Sequence, residues 1–103
     1  MTNIYTSKAD AIIDLQERGY DHDFVLKNEY ILCIQENQTI CPEDFEITET
    51  YRFKGYPKMS DNYIIYGIRS FSHNINGILM ASPATLTRGL SIHLWSKLAN
   101  ELK

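Results

Sequence analysis

Apolar and polar residues alternate most clearly in the middle of the chain, and this alternation predicts β-strands. Residues 46–54, 62–71 and 77–82 carry the β-branched, aromatic and apolar side chains typical of strands. The segments that separate them are rich in proline, serine, asparagine and aspartate, as turns are. We therefore predict a three-stranded antiparallel meander.

A second, shorter strand pair is predicted before the meander. Residues 23–27 and 30–35 form two β-type runs that only an Asn-Glu dipeptide separates, which is typical of a tight hairpin. The polar residues 36–45 that follow predict a loop, in which Pro42 begins a single helical turn.

Helical spacing appears near both ends of the chain. A cap at Ser7 and a glycine at position 19 bound a helix over about residues 7–18. A second helix is predicted over about residues 91–102, where leucine and tryptophan residues recur on one face. The order helix, hairpin, meander, helix indicates an α+β fold of about five mostly antiparallel strands, with both helices packed on one face of the sheet.

Composition limits the classes of function. The 103 residues are enough for one domain, and we assign residues 1–103 to a single α+β domain. A net charge of −3 offers no positive surface for nucleic acid, and no apolar run is long enough to span a bilayer. The first twenty residues lack the pattern of a signal peptide, so the expected location is the cytoplasm, with neither nucleic acid nor membrane as partner.

The two cysteines do not indicate a metal site. Cys33 and Cys41 lie eight positions apart, and neither belongs to a Cys-x-x-Cys pair. We expect two reduced thiols, one in a strand and one in a loop, and we expect no metal and no cofactor. No nucleophile motif or phosphate-binding glycine loop occurs either, so no catalytic residue is assigned.

One acid interrupts an otherwise apolar pattern in the segment FEITETYRF. If this segment is a strand, its odd positions form one inward face on which Glu49 stands among bulky apolar side chains. Pairing the strand with residues 62–71 so that Tyr51 lies opposite Gly67 also places Glu49 opposite Arg69.

This register leaves two interpretations of Glu49 open. In the first, Glu49 and Arg69 form a cross-strand ion pair that helps to fix the register of the sheet. In the second, Glu49, Tyr51 and Arg69 line a pocket between sheet and helices, where burial raises the pKa of the carboxyl for acid–base work.

The chain also resembles a known family of short bacterial proteins of about this length. The residues that carry the resemblance are an R-G-Y turn at 18–20, a D-F pair at 23–24, and a P-E-D-F-E, Y-R-F, G pattern at 42–46, 51–53 and 55. Members of this family often carry the label phosphoribosylpyrophosphate synthetase. That activity needs a glycine–threonine phosphate loop that this sequence lacks, so the resemblance implies an α+β family and not that enzyme.

Two classes of function remain as hypotheses. The first is a non-catalytic domain that binds a protein partner or itself, for example as a homodimer, through an aromatic-rich sheet with open edges. The alternative is a small-ligand or phosphosugar-binding protein, or an enzyme, with Glu49, Tyr51, Arg52 and Arg69 as candidate ligand-binding residues. Arg52 falls on the opposite face of the predicted strand from Glu49, which counts against one compact site.

Overall fold

Six strands form one mixed sheet between two helices in the computed structural model, which describes residues 8–53, 63–82 and 90–100. The elements, in chain order, are α1 (Lys8–Glu17), β1 (His22–Leu26), β2 (Ile31–Cys33), β3 (Gln38–Ile40), a 3-10 turn (Pro42–Asp44), β4 (Phe45–Phe53), β5 (Tyr63–Ser70), β6 (Asn76–Ala81) and α2 (Ile92–Asn100). The predicted α+β class is confirmed.

The strand order across the sheet is β3-β2-β1-β6-β5-β4. The predicted β1–β2 hairpin is confirmed, and a hydrogen bond from Lys27 N to Tyr30 O closes its turn. The predicted meander of β4, β5 and β6 is confirmed as well. A parallel pairing of β1 with β6 joins the two units edge to edge. The sheet is therefore antiparallel except at its centre.

The sheet has six strands, not the predicted five, because residues 36–45 are not entirely a loop. β3 pairs with β2 inside this segment and places Ile40 in the core. Only three residues long and polar at two of them, β3 shows too little alternation for its sequence to indicate a strand.

The two helices lie on opposite faces of the sheet, so the prediction that both pack on one face is wrong. Ala11 and Leu15 of α1 share a buried cluster with Ile65 of β5, whereas Leu94 and Leu98 of α2 belong to the cluster that contains other β5 residues, Ile64, Tyr66 and Ile68. Successive residues of a strand point to opposite faces, and β5 is buried on both. A strand that is apolar at nearly every position needs a cover on each side.

A β-bulge makes β4 change faces halfway along its length. Ile47 pairs with Ile68 and Glu49 pairs with Gly67, so Thr48 is an extra residue in the ladder. Before the bulge, Phe45 and Ile47 pack in the α2 cluster. After it, two other odd-numbered residues, Tyr51 and Phe53, pack in the α1 cluster. The prediction that all odd positions from 45 to 53 share one face is therefore wrong.

The predicted pairing of Glu49 with Arg69 is also wrong. After the bulge the register differs from the predicted one by two residues, so Glu49 lies opposite Gly67; before the bulge it differs by three, so Arg69 lies opposite Glu46. A shift of two residues keeps each side chain on its face but changes its cross-strand neighbour. Matching apolar residues across the pair does not fix the register on the hairpin side, and the bulge adds a further shift of one residue.

The cysteines behave as predicted: Cys33 is buried in β2, Cys41 is exposed, and both are free thiols. Across the part of the chain that the structure describes, no helix has the length and apolarity needed to cross a membrane.

The parallel β1–β6 junction depends on the absence of a side chain at Gly77. A Cβ atom there would lie 2.5 Å from the backbone oxygen of His22 and 2.7 Å from the ring of Phe24. The two halves of the sheet approach too closely at this point for any larger residue.

We predict that Gly77→Ala destabilises the fold by about 1–3 kcal/mol, the usual cost of overpacking, since the backbone of β1 must shift. Gly67→Ala is the matched control. The three atoms nearest to its Cβ would all be side-chain atoms, the closest in the Tyr20 ring at 3.2 Å, so the backbone of the neighbouring strand need not shift. Chemical denaturation should therefore give a clearly larger loss of unfolding free energy for Gly77→Ala. Equal losses would contradict this view of the junction.

Candidate functional site

Glu49 is bound by an arginine from the turn that follows helix α1. Arg18 donates from Nη1 to Oε2 and from Nη2 to Oε1 of Glu49, both at 2.6 Å. The same guanidinium donates from Nε to Asp14 Oδ2 at 2.9 Å. Two parallel bonds of this kind are the strongest geometry of an arginine–carboxylate pair. The ion pair of Glu49 therefore joins a helix to the sheet, and not two strands to each other.

The turn after α1 explains why Arg18 reaches β4. Gly19 has a φ of +103°, a conformation that favours glycine and ends the helix. Tyr20 N then donates back to Leu15 O at 3.0 Å, which closes the turn against the last coil. The turn thus directs Arg18 and Tyr20 together toward β4.

Tyr20 holds the bulge residue itself. Its hydroxyl lies 2.8 Å from Thr48 Oγ1, and Thr48 Oγ1 donates to Gly67 O at 3.1 Å. Gly67 leaves room for the Tyr20 ring above the sheet. The extra residue of β4 is therefore bonded both to its neighbouring strand and to the turn.

Glu49 is stabilised as a carboxylate. The bidentate Arg18 hydrogen bonds lower its pKa most, burial opposes them, and the hydroxyl of Tyr51, which donates to Oε1, lowers the pKa further. The net direction is downward, opposite to the raised pKa that the acid–base interpretation requires. Both oxygens of Glu49 already accept hydrogen bonds. This geometry suits a structural ion pair better than a general acid or base. We call the Arg18–Glu49 pair the clamp.

The four residues proposed from sequence do not form one compact site. Tyr51 lies beside Glu49 and bonds to it. Arg69 is exposed on the same face, two pairs further along the strands, opposite Glu46. Arg52 pairs with Ile64 and points to the other face, as its position in the predicted strand indicated.

Sequence reasoning missed the partners of Glu49 and of the bulge, which are Arg18, Tyr20 and Thr48. The turn at 18–20 stands out in the sequence only as part of the family resemblance. The glycine at its centre is the one local sign that the chain reverses there. No pattern in the sequence connects this turn to a strand some thirty residues away.

A second polar cluster lies where β1 begins. His22 Nδ1 is 2.8 Å from Asp21 Oδ1, and His22 Nε2 is 3.7 Å from Glu36 Oε2. Within residues 8–53, 63–82 and 90–100, no group of three or more histidine, cysteine, aspartate or glutamate side chains is arranged to hold a metal ion.

An apolar groove of about 450 Å³ runs between α1 and the centre of the sheet. Its lining residues are Ile12, Asp23, Phe24, Val25, Leu26, Ile78 and Met80. The groove exists because α1 covers only one half of its face: no buried residue of β1, β2 or β3 belongs to the α1 cluster. Two groove residues, Val25 and Met80, keep 38% and 45% of their surface exposed, and Ile13 on α1 keeps 54%. These three side chains leave apolar surface exposed in and beside the groove.

Comparisons with family models, with curated proteins and with solved structures found no match to this chain. A function for it has to be inferred from the geometry of the clamp and of the groove.

The clamp makes a prediction about pH. Because the folded state lowers the pKa of Glu49, the clamp stabilises the fold above the ordinary carboxylate range and stops doing so as the pH falls through the pKa of the folded state. Glu49→Gln should cost about 1–2 kcal/mol of unfolding free energy at pH 7, a magnitude between an exposed ion pair and a buried charged hydrogen bond. This difference from wild type should shrink toward zero below about pH 4.

Glu17→Gln is the matched control, since Glu17 is exposed on α1 and its side chain makes no hydrogen bond or ion pair among the described residues. Denaturation curves from about pH 3 to about pH 8, values chosen to bracket the ordinary carboxylate pKa of about 4.3, give the comparison. A cost for Glu49→Gln that equals the control at neutral pH, or that grows as the solution is acidified, would rule out the clamp.

Proposed function

We propose that this chain is a non-catalytic protein-interaction module, and that its binding surface is the apolar groove beside α1. The observation that carries the proposal is that α1 covers only part of its face of the sheet. Both faces are buried at β5, but Val25 of β1 and Met80 of β6 remain exposed beside α1. Protein-binding surfaces combine an apolar centre with a polar rim. Here the lining is apolar except for Asp23.

The Glu49 cluster supports a non-catalytic role. A general acid or base needs a pKa near the working pH and an orbital or proton free for the substrate. Glu49 has a lowered pKa and both oxygens engaged by Arg18. The alternative hypothesis of a small-ligand or phosphosugar site there has less support, because a ligand would first have to displace Arg18 and Tyr51 from the carboxylate. Neither residue lines the groove.

The groove suits a protein side-chain cluster better than a small polar ligand. The side chains that line it on this face are Ile12, Val25, Ile78, Met80 and Asp23, because those of Phe24 and Leu26 pack in the α2 cluster on the other face. The exposed carboxylate of Asp23 accepts a 3.0 Å bond from Gln35 Nε2. A phosphate or a sugar requires several convergent polar donors. An apolar segment of a folded partner requires only contact area and exclusion of water.

The proposal predicts specific covalent capture from the groove. We would replace Val25 or Met80 with a photoreactive benzoyl-phenylalanine and irradiate cells of the source organism that produce the protein. Each variant should yield a discrete cross-linked protein product, since both positions face the bound partner. The same probe at Ile34 is the control, because Ile34 is 51% exposed but lies outside the groove. Equal, diffuse labelling at all three positions would overturn the proposal.

A further inference from the structure

Strand β6 begins with an asparagine that is followed directly by glycine, Asn76–Gly77. The backbone nitrogen of the next residue can attack an asparagine carboxamide, and glycine has no side chain to obstruct the approach. Every other asparagine of the sequence precedes a residue that has a side chain. The chemistry of spontaneous deamidation therefore singles out Asn76.

The side chain of Asn76 is not held by its carboxamide oxygen. Among the described residues, Oδ1 of Asn76 is buried and has no hydrogen-bond partner. Any protection from deamidation must therefore come from the backbone, and so from the position of the Gly77 nitrogen.

The sheet holds that nitrogen in place. Gly77 is buried in β6, between Ile68 of β5 and His22 of β1. Ser70 N donates to Ile75 O at 2.8 Å. Hydrogen-bonded pairs alternate along an antiparallel ladder, so Ile68 and Gly77 form the next such pair. In the folded chain the Gly77 N–H is therefore directed at β5 and not at the side chain of Asn76.

We propose that Asn76 is a deamidation site that the fold protects, and that its isoaspartyl product cannot rebuild the β1–β6 junction. When the junction opens, Gly77 N bonds to Asn76 Cγ, and the side-chain nitrogen leaves as ammonia. Water then opens the cyclic imide at Cγ to give aspartate, or at the backbone carbonyl to give isoaspartate. One water is consumed and one ammonia is released, without an enzyme or an oxidant.

The isoaspartyl product does not fit the place from which it came. Its backbone runs through the former side chain and contains one additional methylene group immediately before Gly77. At Gly77 a single added Cβ would already lie 2.5 Å from the backbone oxygen of His22. A chain that is modified while open therefore stays unfolded, which is one route to irreversible loss of a fold.

The test ages the full-length protein at one slightly alkaline pH and temperature, folded in buffer and unfolded in guanidinium chloride. Mass spectrometry of proteolytic fragments identifies each deamidated residue and distinguishes isoaspartate from aspartate. Asn76 should convert at least about a hundredfold faster in the unfolded chain, because opening a central strand costs most of the unfolding free energy. After dilution of the denaturant, the refolded fraction should fall in step with the isoaspartyl fraction.

Asn74 is the internal control. It is exposed and has a φ of 52°, but it precedes the branched Ile75 and should convert slowly in both states. Asn76→Ser is the matched variant, since it cannot form the imide and should keep its refolding yield through the same ageing. Thermal melting establishes that the variant is folded, and Asn76→Thr replaces it if it is not.

Three outcomes would overturn the inference. The first is deamidation of Asn76 at the same rate in the folded and unfolded chains. The second is conversion of the exposed Asn74 ahead of Asn76. The third is aged wild-type protein that carries isoaspartate at position 76 and still refolds as fully as fresh protein.

Discussion

The extra residue in β4, Thr48, is the constraint on which the two-faced architecture depends. A regular strand of nine residues would present all its odd side chains to one helix. The bulge lets the first half of β4 complete the α2 cluster and the second half complete the α1 cluster. The turn after α1 bonds to the bulge through Tyr20 and to the adjacent carboxylate through Arg18. Helix position and strand geometry are thus fixed by the same contacts.

Local elements could be predicted from the sequence, because their causes are local. The two-residue turn, the glycine that ends α1 and the β-branched runs each act over a few positions. What could not be predicted is long-range. The only sign of the parallel β1–β6 pairing in the sequence is the glycine at position 77, and β3 is too short to show an alternation of apolar and polar residues. The bulge leaves no sign in the hydrophobic pattern. The apolar residues on both sides of it, Phe45, Ile47, Tyr51 and Phe53, all have odd sequence numbers, as they would in a regular strand.

Glu49 is the visible sign of that change, although its role differs from both interpretations that the sequence offers. It stands at the point where β4 crosses from one cluster to the other, beside a glycine on the neighbouring strand. The Glu49 carboxylate binds the guanidinium of Arg18, which lies in the turn after α1. The acid that interrupts the apolar pattern therefore links the helix to the sheet. Glu49 therefore has a structural role. The apolar surface that stays exposed lies at the groove, where α1 does not cover β1.

The change of face can be measured directly by nuclear Overhauser spectroscopy on the isotopically labelled protein. We predict contacts from the Phe45 ring to α2 protons, including those of Lys97, whose Nζ lies 4.6 Å from the ring centre. We predict contacts from Tyr51 to Ile65 and to α1 protons such as those of Leu15. Observation of Phe45 and Tyr51 on the same helix would show an unbulged strand and would contradict the two-faced architecture.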